Sequence, residues 1–163
     1  MKHLPKHLRP RWRYLAVGLE TWPDADLTRA AFQHAVWYAA SNLLGDSGSA
    51  DADCRVLQFT FAGGTGEAVV RARRGEVGAA RAALACVSEV DGHAIGLRVR
   101  GVSGTIRACE ERYLGRRTGV PAERRVVFEN DRRRGYVRDG NVDVAGPTGF
   151  TGATELDLES EST

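Results

Sequence analysis

Across residues 11–20 the side chains alternate: Leu15, Val17 and Leu19 fall on one side, Tyr14, Ala16, Gly18 and Glu20 on the other. Period-two alternation predicts a strand whose leucine–valine set faces a core. After Pro23 the period changes. Phe32, Ala35, Val36, Ala39 and Leu43 recur at three- and four-residue steps, one face of a helix opened by Asp24 or Asp26 and ended by Gly45. Residues 46–53 are small and polar, a loop.

The pattern then returns to strands. Residues 54–61 place Leu57, Phe59 and Phe61 on one face, and Gly63-Gly64-Thr65-Gly66 is a hairpin turn. In 67–73, Ala68, Val70 and Ala72 face inward while Val69, Arg71 and Arg73 face outward. Val77, Ala80, Leu84 and Val87 stripe a helix over 76–87. Residues 93–102 form a fourth strand with Ile95, Leu97 and Val99 inward and Arg98 and Arg100 outward. The order β-α-β-β-α-β predicts an α+β fold of the ferredoxin-like or RRM-like kind, an antiparallel sheet with both helices on one face. Its first and third strands are central, so their outward residues lie mid-way across an open face. A third helix follows over 103–114, capped by Ser103 or Thr105, with Ile106, Cys109 and Tyr113 as its buried line. Two short strands, 126–129 and 135–144, come next, turning at Asp139-Gly140-Asn141. Disorder is expected from about 153.

Composition sets outer limits. A chain of 163 residues, 42% hydrophobic, suits one domain of about 100 to 150 residues plus a tail. No apolar run approaches the roughly 18 residues of a membrane span, and no apolar stretch follows the basic start as in a signal peptide, so a soluble, cytoplasmic protein without membrane contact is expected. The cysteines, Cys54, Cys86 and Cys109, are odd in number, without a CxxC pair, and each sits in an apolar stretch. Buried core thiols are expected, not a disulfide framework or a zinc knuckle.

Charge changes the picture more. Of 23 basic residues 21 are Arg. Residues 1–14 carry five positive charges and no acid, residues 98–138 twelve Arg against five acids, and residues 155–161 four acids and no base. A GC-rich genome explains Arg over Lys but not this clustering, whereas guanidinium forks suit phosphate contacts. The chain divides into a basic arm (1–10), a ferredoxin-like domain (11–117) whose charge points toward nucleic-acid contact, an Arg-rich extension with short strands (118–152) and an acidic tail (153–163).

Catalytic patterns are scarce. His3, His7, His34 and His93 lack metal-ligand spacing, the glycine turn lacks the Lys-Ser/Thr of a P-loop and precedes a strand, and no nucleophile elbow occurs. Asp51 and Asp53 sit in a loop without partner acids. RNA-contact features are clearer. Trp12 and Tyr14 are bracketed by Arg9, Arg11 and Arg13, an arrangement that can stack a base and hold phosphates, or in which Trp12 packs on the first helix. Arg71, Arg73, Arg98 and Arg100 form a positive stripe or an ordinary solvated sheet face. The third strand lacks the aromatics of a standard RNA-recognition motif. In Arg98-Val-Arg-Gly-Val-Ser-Gly-Thr-Ile-Arg107, Gly101 and Gly104 allow close backbone approach, and amides at a helix start favour an anion between Arg100 and Arg107. The same glycines also serve a plain strand-to-helix turn.

Two segments resemble a known family. Leu8-Arg-Pro-Arg-Trp-Arg-Tyr-Leu15 and Arg100-Gly-Val-Ser-Gly-Thr-Ile-Arg107, joined by the βαββαβ spacing, are similar to the archaeal ribonuclease P protein component 2 family, related to a eukaryotic subunit shared by RNase P and RNase MRP. The resemblance covers about residues 5–117. It implies a non-catalytic subunit of the ribonucleoprotein that removes the 5′ leader of precursor tRNA. It further implies that the RNA subunit does the chemistry with bound Mg²⁺, that this chain binds no cofactor, and that it supports the RNA's catalytic domain together with component 3 and other protein subunits. RNA contact is then carried to Arg9, Arg11, Arg13, Arg100 and Arg107, with Trp12, Arg71, Arg73, Arg98, Ser103 and Thr105 around them and Arg116 and Arg117 at the edge of the match. Two other classes compete: a metabolite-binding regulatory module, because this fold also serves small-ligand sensors, and a stand-alone nuclease, which needs a carboxylate cluster not visible here.

Overall fold

The computed structural model describes residues 4–115, 122–138 and 141–158. The chain divides into two compact units, Met1–Arg116 and Arg117–Thr163. The first holds β1 (Trp12–Glu20), α1 (Arg29–Ala52), β2 (Arg55–Ala62), β3 (Thr65–Arg73), α2 (Val77–Ala85), a small hairpin β4 (Glu89–Val90) and β5 (His93–Ala94), β6 (Gly96–Ser103) and α3 (Ile106–Tyr113). The main sheet runs β2-β3-β1-β6 with antiparallel neighbours, so β1 and β3 are central as the ferredoxin-like plan requires. Leu15, Val17 and Leu19 join Ala68, Val70 and Ala72 in a core closed by Phe32 and Val36 of α1 and Ala80 and Leu84 of α2.

Local differences from the sequence reading have local causes. The first helix begins at Arg29, not after Pro23: the Thr28 hydroxyl accepts from the Ala31 amide at 3.1 Å. The segment before it turns at residues 23–24, where the Ala25 amide donates to the Trp22 carbonyl at 3.1 Å, and then Ala25 and Leu27 are buried while Asp24 and Asp26 face solvent. Gly45 does interrupt the helix, with φ 72° and ψ 173°, yet the helix resumes through the stretch expected as loop. In β2 a bulge between Val56 and Gln58 reverses parity, so Val56 rather than Leu57 shares the core with Phe59 and Phe61. Residues 93–95 do not belong to the fourth strand proper, since β5 pairs with β4.

The second unit is a meander of β7 (Ala122–Phe128), β8 (Asp131–Arg138), β9 (Asn141–Gly146) and β10 (Gly149–Thr154), in the order β10-β9-β8-β7. Four strands stand where two were expected. Glu129 and Asn130, at φ 51° and 60°, make the two-residue turn that joins β7 to β8. The turn expected at Asp139-Gly140-Asn141 falls between β8, which ends at Arg138, and β9, which begins at Asn141; residues 139 and 140 lie outside the described residues. Disorder from 153 is also not what is found up to residue 158. Ala153 and Leu158 pack on a small core of Val126, Val142 and Val144, and Glu155–Asp157 form a 3₁₀ turn. Residues 159–163 of the expected tail lie outside the described residues.

Cys54 and Cys109 are buried as expected, whereas Cys86, at the end of α2, is exposed. Burial, with Asp53 adding a smaller push, raises the Cys54 thiol to about 11, so it stays a neutral packing group at neutral pH. Burial followed by Glu110 raises Cys109 as well. Among the described residues no helix is long and apolar enough to cross a membrane.

Candidate nucleic-acid interface

The second face of the main sheet is not open at its centre. Helix α3 lies across it, burying Ala16, Val69 and Cys109 with Tyr14, Tyr113 and Leu114 packed around them. Gly101 is the fixed point of this packing: a Cβ there would stand 2.2 Å from the Tyr113 ring. The close approach that Gly101 allows is therefore made by the protein's own tyrosine.

Arg100 serves the same contact. A register shift in the β1–β6 pairing directs its side chain over Gly18, where a Cβ would meet the guanidinium at 2.8 Å. Beyond Gly18 its Nη1 donates to Glu67 Oε1 at 2.5 Å and to the Tyr113 carbonyl at 3.2 Å. Glu67 also accepts from the Gly115 amide, 3.1 Å from Oε2. Arg100, with its side chain only 16% exposed, thus ties the end of α3 to the sheet and is not the solvent-facing group expected beside a phosphate.

The opposite end of α3 is different. Thr105 caps it, its hydroxyl accepting from the Ala108 amide at 3.2 Å, which leaves the amides of Ile106 and Arg107 ahead of the first intrahelical bond. Before them Ser103 is 7% exposed, and its Oγ has no hydrogen-bond partner. It lines a recess of about 450 Å³ with Arg13, Gly104, Thr105, Ala108 and Arg112. A second recess, of about 340 Å³, shares Arg13 and Gly104 and adds Arg11, Trp12, Tyr14 and Arg74. The Arg13 guanidinium rests against Gly104, where a Cβ would lie 2.7 Å from Nη1. Four guanidinium groups and a helix N-terminus converge here, an arrangement that attracts anions.

Of the predicted site residues, the structure gathers Arg11, Trp12, Arg13, Ser103 and Thr105 at these recesses. Arg71 joins through Trp12, with Cζ 3.8 Å from the ring centroid, and Arg73 stands farther off at 5.8 Å. Trp12 accordingly lies under a guanidinium instead of packing on α1. Arg73 also sits 3.9 Å from Asp53. Arg98 is exposed on the outermost strand, and Arg9 is exposed with Nε donating to the Leu4 carbonyl at 2.9 Å. Arg107, 88% exposed, faces Glu111 at 2.8 Å and does not line either recess. Arg116 and Arg117 lie outside the described residues.

Two recess residues were missed by the sequence reading. Arg112 follows Thr105 and Ala108 at helical spacing, a signal that was available. Arg74 is brought in by its amide bonding to the Arg11 carbonyl at 2.9 Å, which only the β1–β3 register reveals. Among the described residues no group of three His, Cys, Asp or Glu side chains is placed to hold a metal ion.

A profile of the Rpp14/Pop5 family matches residues 13–114, which include the sheet, all three helices and most of the recess. The chain belongs to the Rpp14/Pop5 family. It is 62% identical over 159 residues to ribonuclease P protein component 2 of Halorubrum lacusprofundi, covering 98% of this chain and 100% of that one. The Natronomonas pharaonis protein of the same name is 60% identical over 158 residues, 97% and 98% of the two chains. A Methanosarcina mazei relative, also of that name, is 36% identical over 114 residues, 70% of this chain and 93% of its own. These matches do not support the metabolite-sensor reading. The Rpp14/Pop5 match ends before β7, so the second unit lies beyond it.

Proposed function

We propose that this chain is an RNA-contacting, non-catalytic protein subunit of cytoplasmic ribonuclease P, and that the α3 recess grips a phosphate of the RNase P RNA. One observation carries the recess assignment: Arg13 and Arg112 line the recess that holds Ser103, Thr105 and Ala108 at the start of α3, and Arg13 is shared with the adjoining recess of Arg11 and Arg74. A phosphate oxygen in the recess accepts from the first α3 amides while the guanidiniums of Arg13 and Arg112 offset its charge. Trp12, under Arg71, offers a neighbouring surface for a base or sugar. In this reading hydrolysis of the precursor-tRNA phosphodiester belongs to the RNA subunit and its Mg²⁺, and the protein holds the RNA's catalytic domain in its working shape.

Component 3 and the other protein subunits meet a different face. Tyr38, 73% exposed on α1, lines with Leu43 a recess of about 410 Å³ between α1 and the end of α2 that has no basic residue in its lining. Such a surface suits apolar side chains of a protein better than phosphates.

Arg13→Ala with Arg112→Ala should weaken binding to RNase P RNA and flatten its salt dependence by about 0.7 per lost contact on a log–log plot. The urea midpoint should stay near that of the parent. An unchanged affinity and slope would remove the phosphate-site assignment.

A further inference from the structure

The second unit carries charge that its own sheet does not use. Strand alternation and register place Arg125, Arg132, Arg134, Tyr136 and Phe150 on one face of β7–β10, with the acids Glu123 and Asp143 on either side of Tyr136, while Val126, Val142 and Val144 pack on the other. On that face Arg125 and Arg134 are direct cross-strand partners, and both are exposed, as is Arg132. Like charges directly opposite each other destabilise a sheet unless an anion sits between them. The nearest acid to Arg134 is Glu123 at 3.9 Å, a pair with both side chains more than half exposed and therefore weak. Phe150 is 47% exposed and pairs with Ala145, the residue after Val144, whose partner on β8 is Gly135, so it lies on this face near Arg134 and Tyr136.

We propose that this face is a second RNA-binding surface, one that takes a single-stranded segment. The arginines hold successive phosphates and Phe150 and Tyr136 stack bases, the combination by which sheet surfaces bind single strands. The surface rests on the reading of the chain as an RNase P subunit and extends its RNA contact beyond the region that matches the Rpp14/Pop5 profile. Charge complementarity selects nucleic acid as the occupant in preference to an apolar protein partner.

The test uses the full chain with a labelled 12-nucleotide single-stranded RNA, a duplex of the same length, and RNase P RNA. Arg125→Ala with Arg132→Ala and Arg134→Ala should lower single-strand affinity at least tenfold and flatten the salt slope by about 2, at roughly 0.7 per contact. Relief of the opposed arginines should leave the melting temperature equal to or above that of the parent. Phe150→Ala, a single exposed change, should weaken the single strand at least fivefold and leave duplex binding unchanged. Unchanged single-strand affinity in both variants, or equal losses for duplex and single strand, would overturn the proposal. If these variants bind RNase P RNA like the parent while Arg13→Ala with Arg112→Ala does not, only the second surface falls. If neither set alters that binding, the subunit reading falls with it.

Discussion

Arg100 shows how far the polarity of a single residue can be read. Alternation correctly places it on the face away from the core, but the register shift beside Ala16 and the helix that covers this face decide where it ends. Neither is written in period two. Replacing Arg100 with Ala should cost about 2 kcal/mol, because a charged hydrogen-bonding partner is removed from half-buried Glu67 and from the Tyr113 carbonyl. Urea unfolding measures this directly, and RNA affinity corrected for the unfolded fraction should change less than twofold. A large loss of affinity at full stability would mean that the guanidinium leaves Glu67 to meet RNA. Ser103 is legible in the sequence as a cap candidate and, through the family resemblance, as an RNA-contact residue; Thr105 fills the cap, and the orphan hydroxyl becomes visible once the burial of Ser103 is known.

At the scale of elements, α3 is the piece that turns an open sheet into a site. Its sequence shows a buried line through Cys109 and Tyr113, which was read correctly, and nothing in that line says which surface receives it. The receiving surface is marked instead by small residues: Ala16 on β1, Gly18 beneath Arg100, and Gly101 beneath the Tyr113 ring. Gly101→Ala should therefore displace the ring and destabilise the unit by about 1–3 kcal/mol, the usual cost of overpacking. Hydrogen exchange should show the α3 amides losing protection before those of β1 and β3. Equal loss everywhere, or none, would contradict the packing described. Strand order in the main sheet followed from the βαββαβ succession, whereas β10, with two glycines in six residues, carries too little alternation to be seen in advance.

For the whole molecule, net charge hides the organisation: +2 overall, yet four arginines line two recesses that share Arg13 and Gly104, and three more lie on one face of the second unit. The basic segments and the family resemblance were readable from sequence. Which arginines converge was not, because Arg74 and Arg112 join Arg11 and Arg13 only through strand pairing and the docking of α3. The most direct test of the subunit role is reconstitution: RNase P RNA, component 3 and this chain are combined at modest Mg²⁺, and precursor-tRNA cleavage is followed. Cleavage should rise above that of RNA with component 3 alone, and the rise should shrink with Arg13→Ala and Arg112→Ala. Cleavage that does not respond to the chain, with RNA binding retained, would contradict the role of RNase P subunit.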